Sequence, residues 1–298
     1  MKILWVILLM LTVCVQGGPF PPAAEEEGSD AVSNDEARIV GWATTVESYE
    51  PDVSVSESFQ DSSQALGPAE GTSFEVCSLG PGGSLTVSFG RAISNRLGPE
   101  LAVFENSFSD TFLELAFVEV SSDGVHFVRF PSQSLTPAAV GSFGAVDPTD
   151  VSGLAGKYRQ GFGTPFDFSD LPEDPFLDLG AVRFVRLVDV TGGQVNDSSG
   201  NVIYDPFPTV VSAGFDCDGI ALLAPQSVPV SDSEVTEGEF TLSWQSEIGL
   251  RYAVEASASL MSDDWSELAS WIADEEKLSF SFSIDGVSRQ FFRVVSSE

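Results

Sequence analysis

The chain reads as an all-β protein. The expected form is an antiparallel jelly-roll or galactose-binding-like sandwich, followed by a smaller fibronectin- or immunoglobulin-like β-sandwich. Three observations predict this. Apolar residues recur at every second position in short runs, the period of a half-buried strand. Glycine and proline punctuate each connection between those runs. No segment carries a sustained helical period, so short strands bounded by turns are left to build the fold.

Residues 1–18, MKILWVILLMLTVCVQGG, come first. A single Lys2, an apolar run and a small-residue end make a signal peptide, with cleavage after Gly17 or Gly18. The run is shorter than a comfortable membrane span. Residues 19–36 are proline-rich and then acidic, which predicts a flexible linker. Strands are then expected in ARIVGWATTVESY from Ala37, and at Ser84–Phe89, Leu101–Asn106, Phe112–Ser121, Val125–Phe130, Ala181–Val190 and Asp218–Ala224. SSDG at Ser121–Gly124 is a hairpin signal. These strands assign 37–225 to the first sandwich.

Between Pro131 and Gly180 the β pattern stops. Loops beyond about 12–15 residues are uncommon in compact domains unless they are functional or disordered. This stretch is rich in Phe, Leu, Tyr and Gly, unlike a disordered segment. It is expected to fold over the sheet and form the recognition surface. Leu223–Glu239 holds two prolines, small polar residues and acids, which predicts a second linker over 226–238. Residues 239–298 resume alternation, most regularly in LSFSFSI at Leu278–Ile284, so that strand should bury one face.

Charge excludes some partners. Without the signal peptide, 12 basic residues face 45 acidic ones, a net charge of −33. Such a field repels nucleic acid and anionic membranes and attracts cations. No stable membrane insertion is expected after signal cleavage, and no C-terminal anchor is read in the closing VVSSE. The product is expected to be secreted or held at the cell surface.

The acidic turns point to calcium, which takes six to eight oxygen ligands from carboxylates, amides and carbonyls. FEN at Phe104–Asn106, VDPTD at Val146–Asp150 and GFDCDG at Gly214–Gly219 supply Glu105, Asn106, Asp147, Asp216 and Asp218 as candidate ligands. Asp216 and Asp218 are two residues apart, so a regular strand would aim both at one face. The alternative is ordinary Asx turns and caps. NDSSGN at Asn196–Asn201 lacks the acid spacing of an EF-hand.

A second group is GKYRQGFG at Gly156–Gly163. Lys157, Tyr158, Arg159 and Gln160 offer hydrogen-bond donors and a ring between glycines, which suits a sugar or an anionic group. The alternative is that they pin the loop to acids such as Glu114, Glu119 and Asp189. Catalysis has little support. His126 is the single histidine, and no G-x-S-x-G elbow, P-loop or dinucleotide glycine fingerprint is present. Cys77 and Cys217 either pair, closing a long loop, or stay as separate buried thiols.

Several phrases carry a resemblance: SQALGP at Ser63–Pro68, SLGPGGSLTVSF at Ser78–Phe89, LAVFENSF, LAFVEVSSDGVHFVRFPS, GLAGKYRQGFGTPFDF and SAGFDCDGIALL. Together they resemble a family of bacterial secreted or cell-surface proteins with a discoidin-like, galactose-binding-like domain. That family usually carries aliphatic residues where Cys77 and Cys217 stand, so the resemblance implies a disulfide between neighbouring strands. The final module, with Tyr252, Val254, Glu255, Ser257, Leu260 and Trp265, is similar to units that serve as spacers or adhesive domains. The combined expectation is an exported, non-catalytic binding protein. It would recognise an extracellular glycan or cell-surface component through 131–180, with structural calcium. The alternatives are a structural or adhesive spacer without a small ligand, and an unrecognised glycan hydrolase.

Overall fold

A computed structural model describes residues 17–209, 214–260, 265–284 and 290–296. Most of the signal peptide read in the sequence, residues 1–16, lies outside the described residues. The protein is all-β and every ladder between described strands is antiparallel. Among the described residues, no helix is long and apolar enough to cross a membrane.

The first part contains β1 (Val32–Ser33), β2 (Ile39–Trp42), β3 (Thr45–Glu50), β4 (Cys77–Ser78), β5 (Ser84–Ile93), β6 (Leu101–Glu105) and β7 (Ala116–Ser121). It continues through β8 (Val128–Arg129), β9 (Gln133–Ser134), β10 (Val151–Ser152), β11 (Phe162–Phe166), β12 (Val182–Asp189) and β13 (Asp216–Leu223). One sheet runs β1-β11-β6-β13-β2, with β4 added to β13; the other runs β3-β5-β12-β7-β8. Leu85 and Val87 of β5, Leu101 and Val103 of β6, Val118 and Val120 of β7, and Ile220 of β13 share one core. Each is at most 1 % exposed. Two sheets facing each other across such side chains make a sandwich.

The run from Ala37, expected as one strand, serves both sheets. The Ala43 amide donates to Ile220 O in the first sheet (2.9 Å), and the next amide, Thr44, donates to Ser88 O in the second (2.9 Å). Residues 19–36, expected as a flexible linker, lie against the sandwich. Val32 is 1 % exposed and pairs with Gly163, and Ala23 and Ala24 are buried.

The excursion over 131–180 is ordered. It holds a short ladder, β9 against β10, and it also contributes β11 to the first sheet. Ala155 and Ala116 exchange both backbone hydrogen bonds, at 2.9 and 3.1 Å. Val146, Val151 and Leu154 are fully buried against Leu113, Leu115, Phe117 and Ile203 in a second core. Burying a side chain of this size contributes about 1.5–3 kcal/mol.

The remaining strands are β14 (Gln226–Val228), β15 (Val230–Thr236), β16 (Glu239–Gln245), β17 (Arg251–Ser257), β18 (Ser266–Ile272), β19 (Lys277–Ser283) and β20 (Phe291–Ser296). They form sheets β14-β20-β17-β18 and β15-β16-β19. Trp244 and Val254 lie fully buried in their core. Residues 226–238, expected as a linker, are mostly strand. The serines of β19 face solvent and Leu278 is buried, as the alternation predicts.

Candidate functional site

The excursion builds a cavity of about 410 Å³, with ten of its lining residues drawn from 131–180. Lys157 stands in its wall. Gly156 adopts φ +81° and its Cα lies so near the Glu114 carbonyl that an added Cβ would sit 1.9 Å from that oxygen. Only glycine fits there, and this close approach delivers Lys157 to the cavity. Lys157 is 3 % exposed, and its ammonium makes no hydrogen bond or ion pair among the described residues. Burial lowers its pKa to about 8, against the opposing pull of Asp30. Ser132 and Thr164, also in the wall, each hold a buried hydroxyl without a partner. Phe20, Phe130 and Phe166 supply apolar surface, and Asp30 and Asp170 supply carboxylates.

The other three residues of that motif are engaged within the protein. Tyr158 is 1 % exposed and its hydroxyl donates to Asp30 Oδ1. Arg159 pairs with Asp110 (2.8 Å) and with Glu25. Gln160 Oε1 accepts from Ser73 Oγ (2.9 Å), and its backbone N–H donates to Ser107 O (2.6 Å). These contacts fasten the excursion to the rest of the first sandwich. Of the basic residues flanking the excursion, Arg129 and Arg186 donate through Nε to the buried Glu119, at 2.8 and 2.6 Å.

The five candidate calcium ligands do not converge. Among the described residues, no group of three or more His, Cys, Asp or Glu side chains is placed to hold a metal ion. Asp147 is exposed and caps a 3-10 turn, accepting from Thr149 N at 2.9 Å. Asp218 spends both oxygens on the amides of Glu70 (3.0 Å) and Gly71 (2.8 Å). Asp216 instead accepts from Ser78 Oγ and from Asn106 Nδ2 (3.2 Å). The expected shared face fails because the β13–β6 register shifts between Cys217 and Gly219. Asp197, in NDSSGN, caps its own turn through the amides of Ser199 and Asn201.

Glu105, Asn106 and Asp216 do belong together, at the base of a second cleft. Glu105 accepts from Ser107 N (2.7 Å) through one oxygen, and the other has no partner. Burial raises Glu105 well above the usual carboxylate range, and the nearby Asp216 adds to the shift. Burial likewise raises Asp216 and Asp189 to about 7, and Glu114 and Asp205 well above their ordinary values. Sequence reasoning missed Glu114, Asp189 and Asp205 as members of this set. A glutamate or aspartate inside a strongly apolar run, as in FLELAF and RLVDV, is the signal that marks them.

The expected disulfide is not formed. Cys77 and Cys217 are Cα partners on β4 and β13, yet both are free and fully buried. His126 is exposed and its Nδ1 lies 2.8 Å from Asp123 Oδ2 beside the Phe176 ring; no serine or cysteine nucleophile contacts it among the described residues. Compared with known protein families and with curated proteins, the chain matches none.

Proposed function

We propose that this is an exported, non-catalytic binding protein that holds part of an extracellular carbohydrate in the cavity of the 131–180 excursion. In this reading the first sandwich is galactose-binding-like and the second is a fibronectin- or immunoglobulin-like spacer. The observation that carries the reading is Lys157, a buried residue in the wall of a 410 Å³ cavity whose ammonium lies 5.3 Å from the Tyr158 ring centroid and makes no hydrogen bond or ion pair among the described residues.

The chemistry of the wall supports a polyhydroxylated ligand. An ammonium brings three donors and no acceptor, and a hydroxyl brings one donor and two acceptor lone pairs. A buried polar group left unpaired costs about 1–3 kcal/mol. Sugar hydroxyls donate and accept, so one ligand could engage Lys157, Ser132, Thr164 and the two carboxylates together. The half-buried Phe20 ring offers surface for the apolar side of a pyranose. A purely anionic ligand fits less well, because Asp30 and Asp170 share the cavity with one lysine.

The test is a glycan array followed by calorimetry on the purified protein and on Lys157→Met, run with and without EDTA. Methionine keeps the buried stem and removes the donors. The reading expects glycan binding that the substitution abolishes and EDTA leaves intact, with melting temperature unchanged or raised. Equal binding by the variant overturns the site. Absence of glycan binding by the wild type overturns the function and favours the spacer.

A further inference from the structure

The cleft above Asn106, Glu114 and Asp216 is separate from the excursion's cavity. It has a volume of about 260 Å³, and Phe59, Phe74, Phe108, Phe112 and Phe143 form its walls. Phe108 stacks on Phe112 with ring centroids 4.8 Å apart, and Phe112 stacks on Phe143 at 6.3 Å. Phe74 is 83 % exposed and Phe143 81 %. Clustered exposed rings of this kind mark interaction sites.

Acids lie beneath the rings. Glu114 lines the cleft, is only 7 % exposed, and makes no side-chain hydrogen bond or ion pair among the described residues. Asp216 lines it too, and Glu105 and Asp205 each keep one buried oxygen without a partner. No lysine, arginine or histidine is among the lining residues. Buried carboxylates without a counter-charge are costly, and a ligand that brings a positive charge offsets that cost. The π faces of aromatic rings attract cations. Rings around the walls and carboxylates at the base are therefore complementary to one chemistry.

We propose that this cleft binds a small organic cation, an ammonium group that sits among the phenylalanine rings above Glu114 and Asp216. A metal ion fits poorly, because phenylalanine offers no oxygen ligand and the carboxylates do not group for coordination among the described residues. A neutral apolar ligand would desolvate the carboxylates without pairing them, and an anion would be repelled.

The experiment is calorimetry with choline and with its uncharged carbon isostere, 3,3-dimethylbutan-1-ol, on the full chain. Choline is expected to bind about tenfold or more tighter than the isostere, the difference that about 1.4 kcal/mol of charge-dependent attraction produces. Glu114→Gln and Phe143→Leu are each expected to weaken choline binding at least several-fold. The leucine keeps apolar bulk at an exposed position and removes the ring face, so folding is not at issue. Equal affinity for the two ligands overturns the proposal, as does undetectable choline binding or an unchanged affinity in both variants. Lys157→Met should leave choline binding intact. Failure of the glycan reading and failure of this one are therefore read from different ligands and different variants.

Discussion

Replacing Asp216 with asparagine should stabilise the protein at alkaline pH and not at acid pH. Asp216 is 3 % exposed, and burial lifts its pKa from 3.8 to about 7, partly opposed by hydrogen bonds from Ser78 and Asn106. Its charge is also felt by Glu105, Glu114 and Asp189, whose carboxyls are raised in turn. Below about pH 3 the carboxyl is protonated in both folded and unfolded chains, and its protonation adds no pH dependence. As pH rises from about 4 to 7 the unfolded chain ionises first, and each unit removes about 1.4 kcal/mol from the folded state. Taken at face value the penalty reaches about 4 kcal/mol at pH 8; relaxation of the site and water entering from the cleft reduce it, so about 2–4 kcal/mol is expected. Asparagine keeps an acceptor for Ser78; turning the Asn106 amide to meet the new one gives up its bond to Ser73 O (3.3 Å), which offsets part of the gain. Urea denaturation followed by tryptophan fluorescence at pH 4, 6 and 8, with EDTA throughout, reads the difference. A variant less stable than wild type at pH 8, or a gap that does not change with pH, would refute the reasoning.

Three further outcomes are expected. Cys77 and Cys217 are fully buried, and burial pushes the Cys77 thiol up to about 12, so a thiol reagent should label neither in the native protein and both after unfolding; fast native labelling is the contrary result. Gly156→Ala would place a Cβ 1.9 Å from the Glu114 carbonyl oxygen at φ +81°, and should cost about 3 kcal/mol or more; a melting temperature within a degree of wild type contradicts the close approach. Phe74→Ala and Phe143→Ala remove rings that are 83 % and 81 % exposed, so stability should change by no more than about 0.5 kcal/mol, and a large loss would show that these rings support the core.

Strands with a clean period of two were legible in the sequence. Residues 277–283 fall within a residue of the expected Leu278–Ile284, because the apolar residues lie on the covered face and the serines face solvent. β11 was not legible. Gly163 and Pro165 interrupt FGTPF, yet Gly163 must be bare because an added Cβ would lie 2.8 Å from the Phe104 ring. Pro165 pairs with Ala102 on one side and lies beyond the reach of the two-residue β1 on the other. β15 was also hidden, since all seven residues of VSDSEVT are exposed on an outer strand and carry no burial pattern. Lys157, Tyr158, Arg159 and Gln160 stand out in the sequence by residue type between glycines, but the partners of the last three, Asp30, Glu25 and Ser73, lie far away in the chain and no local pattern announces them. The aromatic cleft was invisible for a different reason. Its phenylalanines come from separate loops at 59, 74, 108–112 and 143, and no spacing rule joins them.

The stability argument and the cleft argument meet in the same residues. A sandwich with an ordinary core gains nothing from burying Glu105, Glu114, Asp189, Asp205 and Asp216 near one another, and at neutral pH it loses stability through them. Any ligand that binds the folded chain alone returns stability as RT ln(1 + [L]/Kd). If the ligand is a cation seated above Glu114, it also restores the ionised form of carboxyls that burial holds neutral. Ammonium binding should then release protons near and below pH 7, where Asp216 titrates, and stabilise the fold more as pH rises through that range. A hydrophobic ligand in the same cleft would desolvate the carboxyls further and take up protons. Calorimetry in buffers of different ionisation enthalpy separates the two, because the sign of the buffer dependence gives the direction of proton transfer. The groups that face the ligand in this balance are Glu114 and Asp216 directly, with Glu105, Asp189 and Asp205 coupled behind them.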